Sequence, residues 1–178
     1  AAYHGILTAL GVIALCQYEG VSVSIIQEKL STFHGVKRRF TVMEKDNRII
    51  VDDYAHHPTE IKATLQTAKQ KYPDREIVVI FQPHTFTRTA ALLEEFAESL
   101  APAEHVYLCY IFSSAREKAG SLTIEKLVDK VPGAKHLEID NITPLESHGR
   151  AVYLFMGAGD IQKYLFAFNS ILNEDETA

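Results

Sequence analysis

The run Asp52-Asp53-Tyr54-Ala55-His56-His57-Pro58-Thr59-Glu60 places carboxylates and two imidazoles in one short connection. Carboxylates accept hydrogen bonds from hydroxyls and cations, and a neutral imidazole accepts a proton or a hydrogen bond from an amine. Side chains alternate across a strand, so Asp52 and Asp53 leave on opposite faces and only one enters a given crevice; Asp53 is the candidate. Paired aspartates at a strand end serve equally as turn formers and caps. His56 and His57 fall at a helix start, where the positive end of the helix dipole favours the neutral ring, although either also suits capping or packing. Adjacent histidines do not readily offer both rings to one ion. With no HExxH or Cys/His spacing elsewhere, no metal site is expected.

A second group, Phe81-Gln82-Pro83-His84-Thr85-Phe86-Thr87-Arg88-Thr89, again follows an apolar run and opens a helix. A cation is unfavourable at a helix start, so Arg88 is better explained by an anionic ligand, carboxylate or phosphate, than by the dipole. His84 reaches the same crevice or braces the loop. A third group, Met156-Gly157-Ala158-Gly159-Asp160-Ile161, resembles half of a dinucleotide fingerprint, but Gln162 stands where the third glycine belongs, so no Rossmann cofactor is expected. Gly157 and Gly159 serve either a small carboxylate at a helix N-terminus or close helix–strand packing. The loop Ser113 to Lys118 follows a strand at the same sheet end, so its charges either reach the crevice or, as the sequence alone favours, form a solvated loop. No GxSxG supports a nucleophile elbow and no GxxxxGK[ST] supports a phosphate-cradling loop.

These groups need elements that bring them to one edge. Ile49-Ile50-Val51 reads as a buried strand, and Pro58 as the first residue of a helix, where its missing N–H costs nothing. Phe40 to Glu44, an Asp46-Asn47 turn and Arg48 to Val51 form an expected β-hairpin. Beyond it follow helix 59–72, strand 76–81, helix 89–100, strand 105–111, helix 122–131, strand 135–139, strand 151–156 and helix 159–173. Such alternation predicts an α/β fold: a Rossmann-like, mostly parallel sheet with helices on both faces. Ligands of such sheets bind beyond the carboxyl ends of the strands, where all three groups fall.

Ahead of the sheet, Ile6, Leu10, Ile13 and Ala14 recur at helical spacing, Gly20 stops the run, and Ser22 can cap a second helix through Leu30 and Phe33. A helical pair with a broad apolar face needs something to pack against, so residues 1–33 read as the tail of a preceding domain and the chain as a piece of a longer protein. The boundary is expected near residue 35, giving a helical segment 1–35 and an α/β domain 36–178. With 178 residues, 47% of them hydrophobic, the chain can bury one good core. A net charge of -5 and the isolated cluster Lys37-Arg38-Arg39 argue against a nucleic-acid partner. Cys16 and Cys109 lack CxxC spacing and read as reduced, packed thiols. No apolar run is long enough for a bilayer and no signal-peptide pattern opens the chain, so a soluble protein with no membrane partner is expected.

Taken together and in this order, Gly35-Val36-Lys37-Arg38-Arg39-Phe40, the DDYAHHPTE run, FQPHTFTRT and MGAGDI resemble the C-terminal domain of the Mur ligases, and within that family the alanine-adding branch. Residues 1–33 resemble the last helices of the family's central ATPase domain. The resemblance implies a cytoplasmic ATP-dependent ligase of peptidoglycan synthesis, hence of cell shape and division. Its reaction would join L-alanine to the muramic acid carboxylate of UDP-N-acetylmuramate through an acyl phosphate. ATP and Mg2+ are the implied cofactors, the P-loop and the magnesium ligands belonging to the central domain and a nucleotide-sugar domain preceding it. The chain alone, with no catalytic residue of its own, is then inactive.

Motif matching implies that Arg39 and Asp53 approach the ATP ribose with Tyr54 nearby, and that His4 lies toward the nucleotide. It implies that His56, His57 and Arg88 hold the alanine, Arg88 on its carboxylate, with Tyr54, Gly157 and Gly159 bordering the pocket. Two departures stand out: His4-Gly5-Ile6-Leu7-Thr8 lacks the asparagines of the family's His-Asn-x-x-Asn, and Thr85 stands where many members carry arginine, leaving Arg88 more of the carboxylate. The alternatives are the branch that ligates murein tripeptide and a non-catalytic nucleotide- or amino-acid-binding module.

Overall fold

The computed structural model describes residues 3–33, 35–113 and 122–174, without the side chains of Tyr3, His4 and Glu174. The chain divides into two compact units, Ala1–Lys37 and Arg38–Ala178. The first is a helical pair, α1 (Tyr3–Tyr18) and α2 (Val23–Ser31), with Gly20 at φ 79° in the link, a conformation that glycine adopts without steric cost. Ser22 stands at the N-cap of α2 but makes no capping hydrogen bond. Ile26 is buried, whereas Ile6, Leu10 and Leu15 stay exposed.

The second unit is built on a six-stranded sheet of order β1-β2-β6-β3-β4-β5. β1 (Thr41–Lys45) and β2 (Arg48–Asp53) form the expected antiparallel hairpin. Its turn, Asp46-Asn47, holds both residues at positive φ, 48° and 59°, as a two-residue primed turn requires and as Asp and Asn tolerate. α3 (Pro58–Lys71) crosses from β2 to β3 (Ile77–Phe81); α4 (Phe86–Ala91) and α5 (Leu93–Leu100) lead to β4 (His105–Leu108). α6 (Ile124–Val128) leads to β5 (Lys135–His136), a 3-10 helix (Thr143–His148) leads to β6 (Val152–Met156), and α7 (Gln162–Glu174) follows. All pairings except β1 with β2 are parallel.

Because the central strands are buried on both faces, they read as continuous apolar runs, yet their residues still sort by period two. Ile49, Val51, Val79, Phe81, Leu108, Leu154 and Met156 pack with Ile61 and Leu65 of α3, Phe96 and Leu100 of α5 and Leu127 of α6. Ile50, Val78, Ile80, Tyr107, Tyr153 and Phe155 face Leu165, Phe168 and Leu172 of α7 and Leu145 of the 3-10 helix. Helices therefore cover both faces, as the alternation predicts. β6 enters between β2 and β3, and the register aligns Asp53 with Met156, Met156 with Phe81 and Phe81 with Leu108. Those four residues end their strands in one row.

Three expectations shift. The helix expected over 89–100 begins at Phe86 and breaks at Leu92 (φ -117°, ψ 26°), so that α4 and α5 are separate helices with Leu92 and Leu93 at the joint both packed against the core. Strand 105–111 ends at Leu108: Cys109 N–H still bonds Phe81 O, but Phe112 N–H turns to Pro83 O. The edge strand of 135–139 shrinks to Lys135–His136 as the chain moves toward the 3-10 helix, whose Pro144 the sequence reading did not place. Among the described residues no helix is long and apolar enough to cross a membrane.

Candidate functional site

Beyond the aligned strand ends, the loop after β2 is organised around Glu60. Its Oε2 accepts the His56 N–H at 2.9 Å and lies 3.2 Å from His56 Nδ1, while Tyr54 O lies 3.0 Å from that nitrogen. Both neighbours of Nδ1 are acceptors, so Nδ1 carries the hydrogen and the neutral ring keeps its lone pair on Nε2. His57 has another role: it is exposed, and its Nδ1 accepts Thr59 N–H at 3.3 Å as the N-cap of α3. The two adjacent histidines are thus distinguished by geometry. The Tyr54 ring meets the His56 ring edge-on at 5.3 Å and lies under two guanidinium groups, Arg38 at 4.9 Å and Arg39 at 5.5 Å from its centroid. Such cation–π contacts hold the ring and leave Arg39, whose nearest carboxylate is Glu60 at 3.9 Å, half exposed.

Asp53 is buried and bound to backbone. Oδ1 accepts Ala55 N–H at 2.8 Å and the Thr64 hydroxyl at 3.4 Å, and Oδ2 accepts Phe40 N–H at 2.7 Å. Burial pushes its carboxyl above the ordinary value, against the hydrogen bonds from Ala55 and Phe40 and the charge of Arg39, which pull it down. By acceptor capacity one position on Oδ2 remains for a hydroxyl. Asp52, on the opposite face, accepts Gln162 Nε2 at 2.9 Å and faces Arg38 Nε at 3.5 Å, and Arg38 also donates to Gly157 O. The aspartate pair therefore fastens the end of β2 to the hairpin entry, α3 and α7, rather than serving only as the turn formers and caps that the sequence offered as the alternative.

The loop after β3 carries the second group. The His84 ring lies 6.3 Å from that of His56 and stacks on Phe112 at 5.5 Å. Thr85 holds φ 71°, a strained conformation for a β-branched residue that costs about 1–3 kcal/mol. It is kept there by its N–H to Phe112 O at 2.8 Å and by Thr89, whose N–H and hydroxyl both bond Thr85 O. α4 then sets Arg88 in its first turn, half-buried, with Nη1 buried and without a hydrogen-bond partner among the described residues. A buried guanidinium nitrogen lacking an acceptor is costly, and an incoming anion would satisfy it.

The third group closes the same edge. Gln82 is fully buried; its Nε2 donates to Asp160 Oδ1 at 2.7 Å, which also accepts the Tyr110 hydroxyl at 2.5 Å. Burial works against the Asp160 carboxylate, but hydrogen bonds from Lys163, Tyr110 and Gln82 outweigh it and hold the group below its ordinary value. Tyr110, by burial and by its bond to Asp160, is pushed up to about 12. Gly159 is required here: a Cβ on it would lie 2.5 Å from Gln82 Oε1 and 2.5 Å from Phe112 Cγ. A Cβ on Gly157 would stand 3.0 Å from Gln82 O. The glycines thus permit close packing of the α7 entry on the loops after β3 and β4.

Of the residues read from sequence, Tyr54, His56, His57, Arg88, Gly157, Gly159, Arg39 and Asp53 all lie at the carboxyl edge of the sheet or in the loops that leave it. The His4 side chain lies outside the described residues, as does most of the Ser113–Lys118 loop. Sequence reasoning missed Glu60, Arg38, Gln82, Tyr110 and Asp160 as organisers. Glu60 was findable, since it stands four residues after His56 at a helix start; Tyr110 and Gln82 meet Asp160 only through the sheet.

One family model, described as Mur ligase, glutamate ligase domain, matches residues 38–161. Among solved structures, UDP-N-acetylmuramate-alanine ligase MurC of Thermotoga maritima is similar at 31% identity and TM-score 0.70, over 100% of this chain and 39% of that one. A murein peptide ligase of Psychrobacter arcticus is similar at 27% identity and TM-score 0.69, over 94% of this chain and 37% of that one. MurF ligase of Thermotoga maritima, solved with ADP, shares the fold at 20% identity and TM-score 0.72, over 98% of this chain and 40% of that one. The chain thus spans well under half the length of each.

Proposed function

Since the chain belongs to the Mur ligase family and carries that family's glutamate ligase domain over residues 38–161, we propose that it is the amino-acid-binding portion of an ATP-dependent ligase that joins L-alanine to UDP-N-acetylmuramate. Residues 36–178 form that portion, and residues 1–35 belong to an adjoining ATPase domain. The observation that carries the reading is the buried Nη1 of Arg88, without a hydrogen-bond partner among the described residues, in the helix that follows the loop bearing His84. The 31% identity to an alanine-adding ligase supports the choice of amino acid.

In the proposed reaction, the muramic acid carboxylate, activated as an acyl phosphate by ATP with Mg2+, is attacked by the alanine amine; the C–N bond forms, phosphate leaves with the former acyl oxygen, and the amine loses a proton. This chain does the positioning. Arg88 donates to the alanine carboxylate, and His56, whose Nδ1–H is held by Tyr54 O and Glu60, offers Nε2 to the ammonium group. His84 and Tyr54 wall the crevice, His57 caps α3 beside it, and the Gly157 and Gly159 turn borders it. The residues toward ATP fit a ribose: Asp53 keeps one acceptor position and Arg39 is exposed above Tyr54. Holding an amine in attack geometry is worth about 7–11 kcal/mol of barrier, delivered only when the domain bearing the amine closes on the domain bearing the acyl phosphate. The portion alone should not turn over.

The test is phosphate release by the protein that joins this chain to its nucleotide-sugar and ATPase domains, with UDP-N-acetylmuramate, Mg-ATP and either L-alanine or murein tripeptide. Alanine-dependent release supports the reading. Release with tripeptide alone moves the protein to the murein peptide branch, and retained nucleotide binding with no release makes it a binding module.

A further inference from the structure

The opposite end of the sheet carries a second cluster that the crevice does not use. Glu76 immediately precedes β3, His105 opens β4, and His148 ends the 3-10 helix that leads into β6. Each offers a ligand atom, and the three atoms lie within 4.8 Å of one another. β3 has five residues, which puts roughly 16 Å of strand between this cluster and the crevice.

We propose that Glu76, His105 and His148 bind a divalent transition-metal ion of the zinc class. Two imidazoles and a carboxylate with a fourth position left to water are a donor set that Zn2+ accepts, and hard cations such as Mg2+ do not favour imidazole. The two rings lie 4.1 Å apart between centroids at 36°, and Glu76 Oε2 is 3.3 Å from His105 Nε2. Tyr107 supplies the outer support that a ligating histidine usually has: its hydroxyl lies 2.8 Å from His148 Nε2 and fixes that ring, while Nδ1 makes no hydrogen bond among the described residues. Glu76 and His105 are open enough to solvent for an ion to enter, with side chains 61% and 37% exposed. A bound ion clasps the starts of β3, β4 and β6, which come from distant parts of the sequence.

The chelator-treated chain of 178 residues is titrated with Co2+, read by its visible absorbance, and with Zn2+ in competition. One ion per chain is expected, with affinity at least about tenfold weaker in Glu76→Gln, His105→Gln and His148→Gln, and about tenfold weaker in Tyr107→Phe, which keeps the ring packing. His136→Gln, outside the cluster, retains full affinity. Zn2+ raises the melting temperature of the wild type but not of His105→Gln. Absence of stoichiometric Co2+ binding overturns the proposal and leaves Glu76 and His105 as a surface ion pair. Binding unchanged in His105→Gln and His148→Gln overturns it equally, by placing the ion elsewhere.

Discussion

Replacing Gly159 with alanine tests whether the turn after β6 is built for close approach. The added carbon would sit 2.5 Å from Gln82 Oε1, 2.5 Å from Phe112 Cγ and 2.8 Å from Phe112 Cβ, where carbon contacts settle near about 3.5–4.0 Å. Phe112 cannot yield easily, because its N–H bonds Pro83 O and its carbonyl accepts Thr85 N–H. Gln82 can yield only by giving up Asp160. Overpacking costs about 1–3 kcal/mol, and a hydrogen bond to a charged group about 1.5–3 kcal/mol; relief of one sacrifices the other, so the expected loss is about 2–3 kcal/mol rather than the sum. Urea unfolding followed by circular dichroism reads it as a lowered midpoint at constant slope. Gly11→Ala, which meets nothing within 4 Å, should leave the midpoint of the α/β unit in place. A loss below about 0.5 kcal/mol for Gly159→Ala, the ordinary range of surface changes, would refute the packing argument.

Asp53→Asn should destabilise the α/β unit by about 1–3 kcal/mol, because an amide presents its own N–H to a donor that the carboxylate now satisfies; urea unfolding at neutral pH checks it. The folded Asp160 carboxyl lies below its ordinary value of 3.8, so its stabilisation is complete above that pH and is lost as the pH falls through the folded value. The stability gap between wild type and Asp160→Asn should accordingly be full at pH 7 and close in acid, and a gap that widens in acid would reverse the assignment. Cys109 is fully buried, and burial pushes its thiol upward, so iodoacetamide followed by mass mapping should modify Cys16 in the native chain and Cys109 only after urea is added. Labelling of native Cys109 as fast as Cys16 would contradict its burial.

Strand order of this kind is not written in local pattern, but its consequence for the site was. The apolar runs ending at Asp53, Phe81 and Met156 announced parallel strands, and the polar groups after each announced a common edge, which the register of Asp53, Met156 and Phe81 confirms. What periodicity could not carry was which side chain serves which purpose. Asp53 looked like a ligand group, and only the fold brings Phe40 N–H and Thr64 to its oxygens. His56 and His57 were indistinguishable until α3 began at Pro58 and made His57 its cap. The break at Leu92 escaped because Thr89 to Glu94 contains no glycine or proline to mark it, and an apolar pair fits an uninterrupted helical pattern. Glu76, His105 and His148 escaped because metal-ligand spacing was sought along the chain, whereas the sheet and the 3-10 helix assemble them across it.

The most direct test of the account is the alanine dependence of the whole ligase carrying Arg88→Ala. If Arg88 holds the amino-acid carboxylate, loss of a charge-assisted pair worth about 1.5–3 kcal/mol should raise the alanine KM by about ten- to a hundredfold. The KM values for ATP and UDP-N-acetylmuramate should hardly change, and Arg88→Lys should restore part of the loss. An unchanged alanine KM, or a loss shared equally by all three substrates, would contradict the assignment of this crevice to the incoming amino acid.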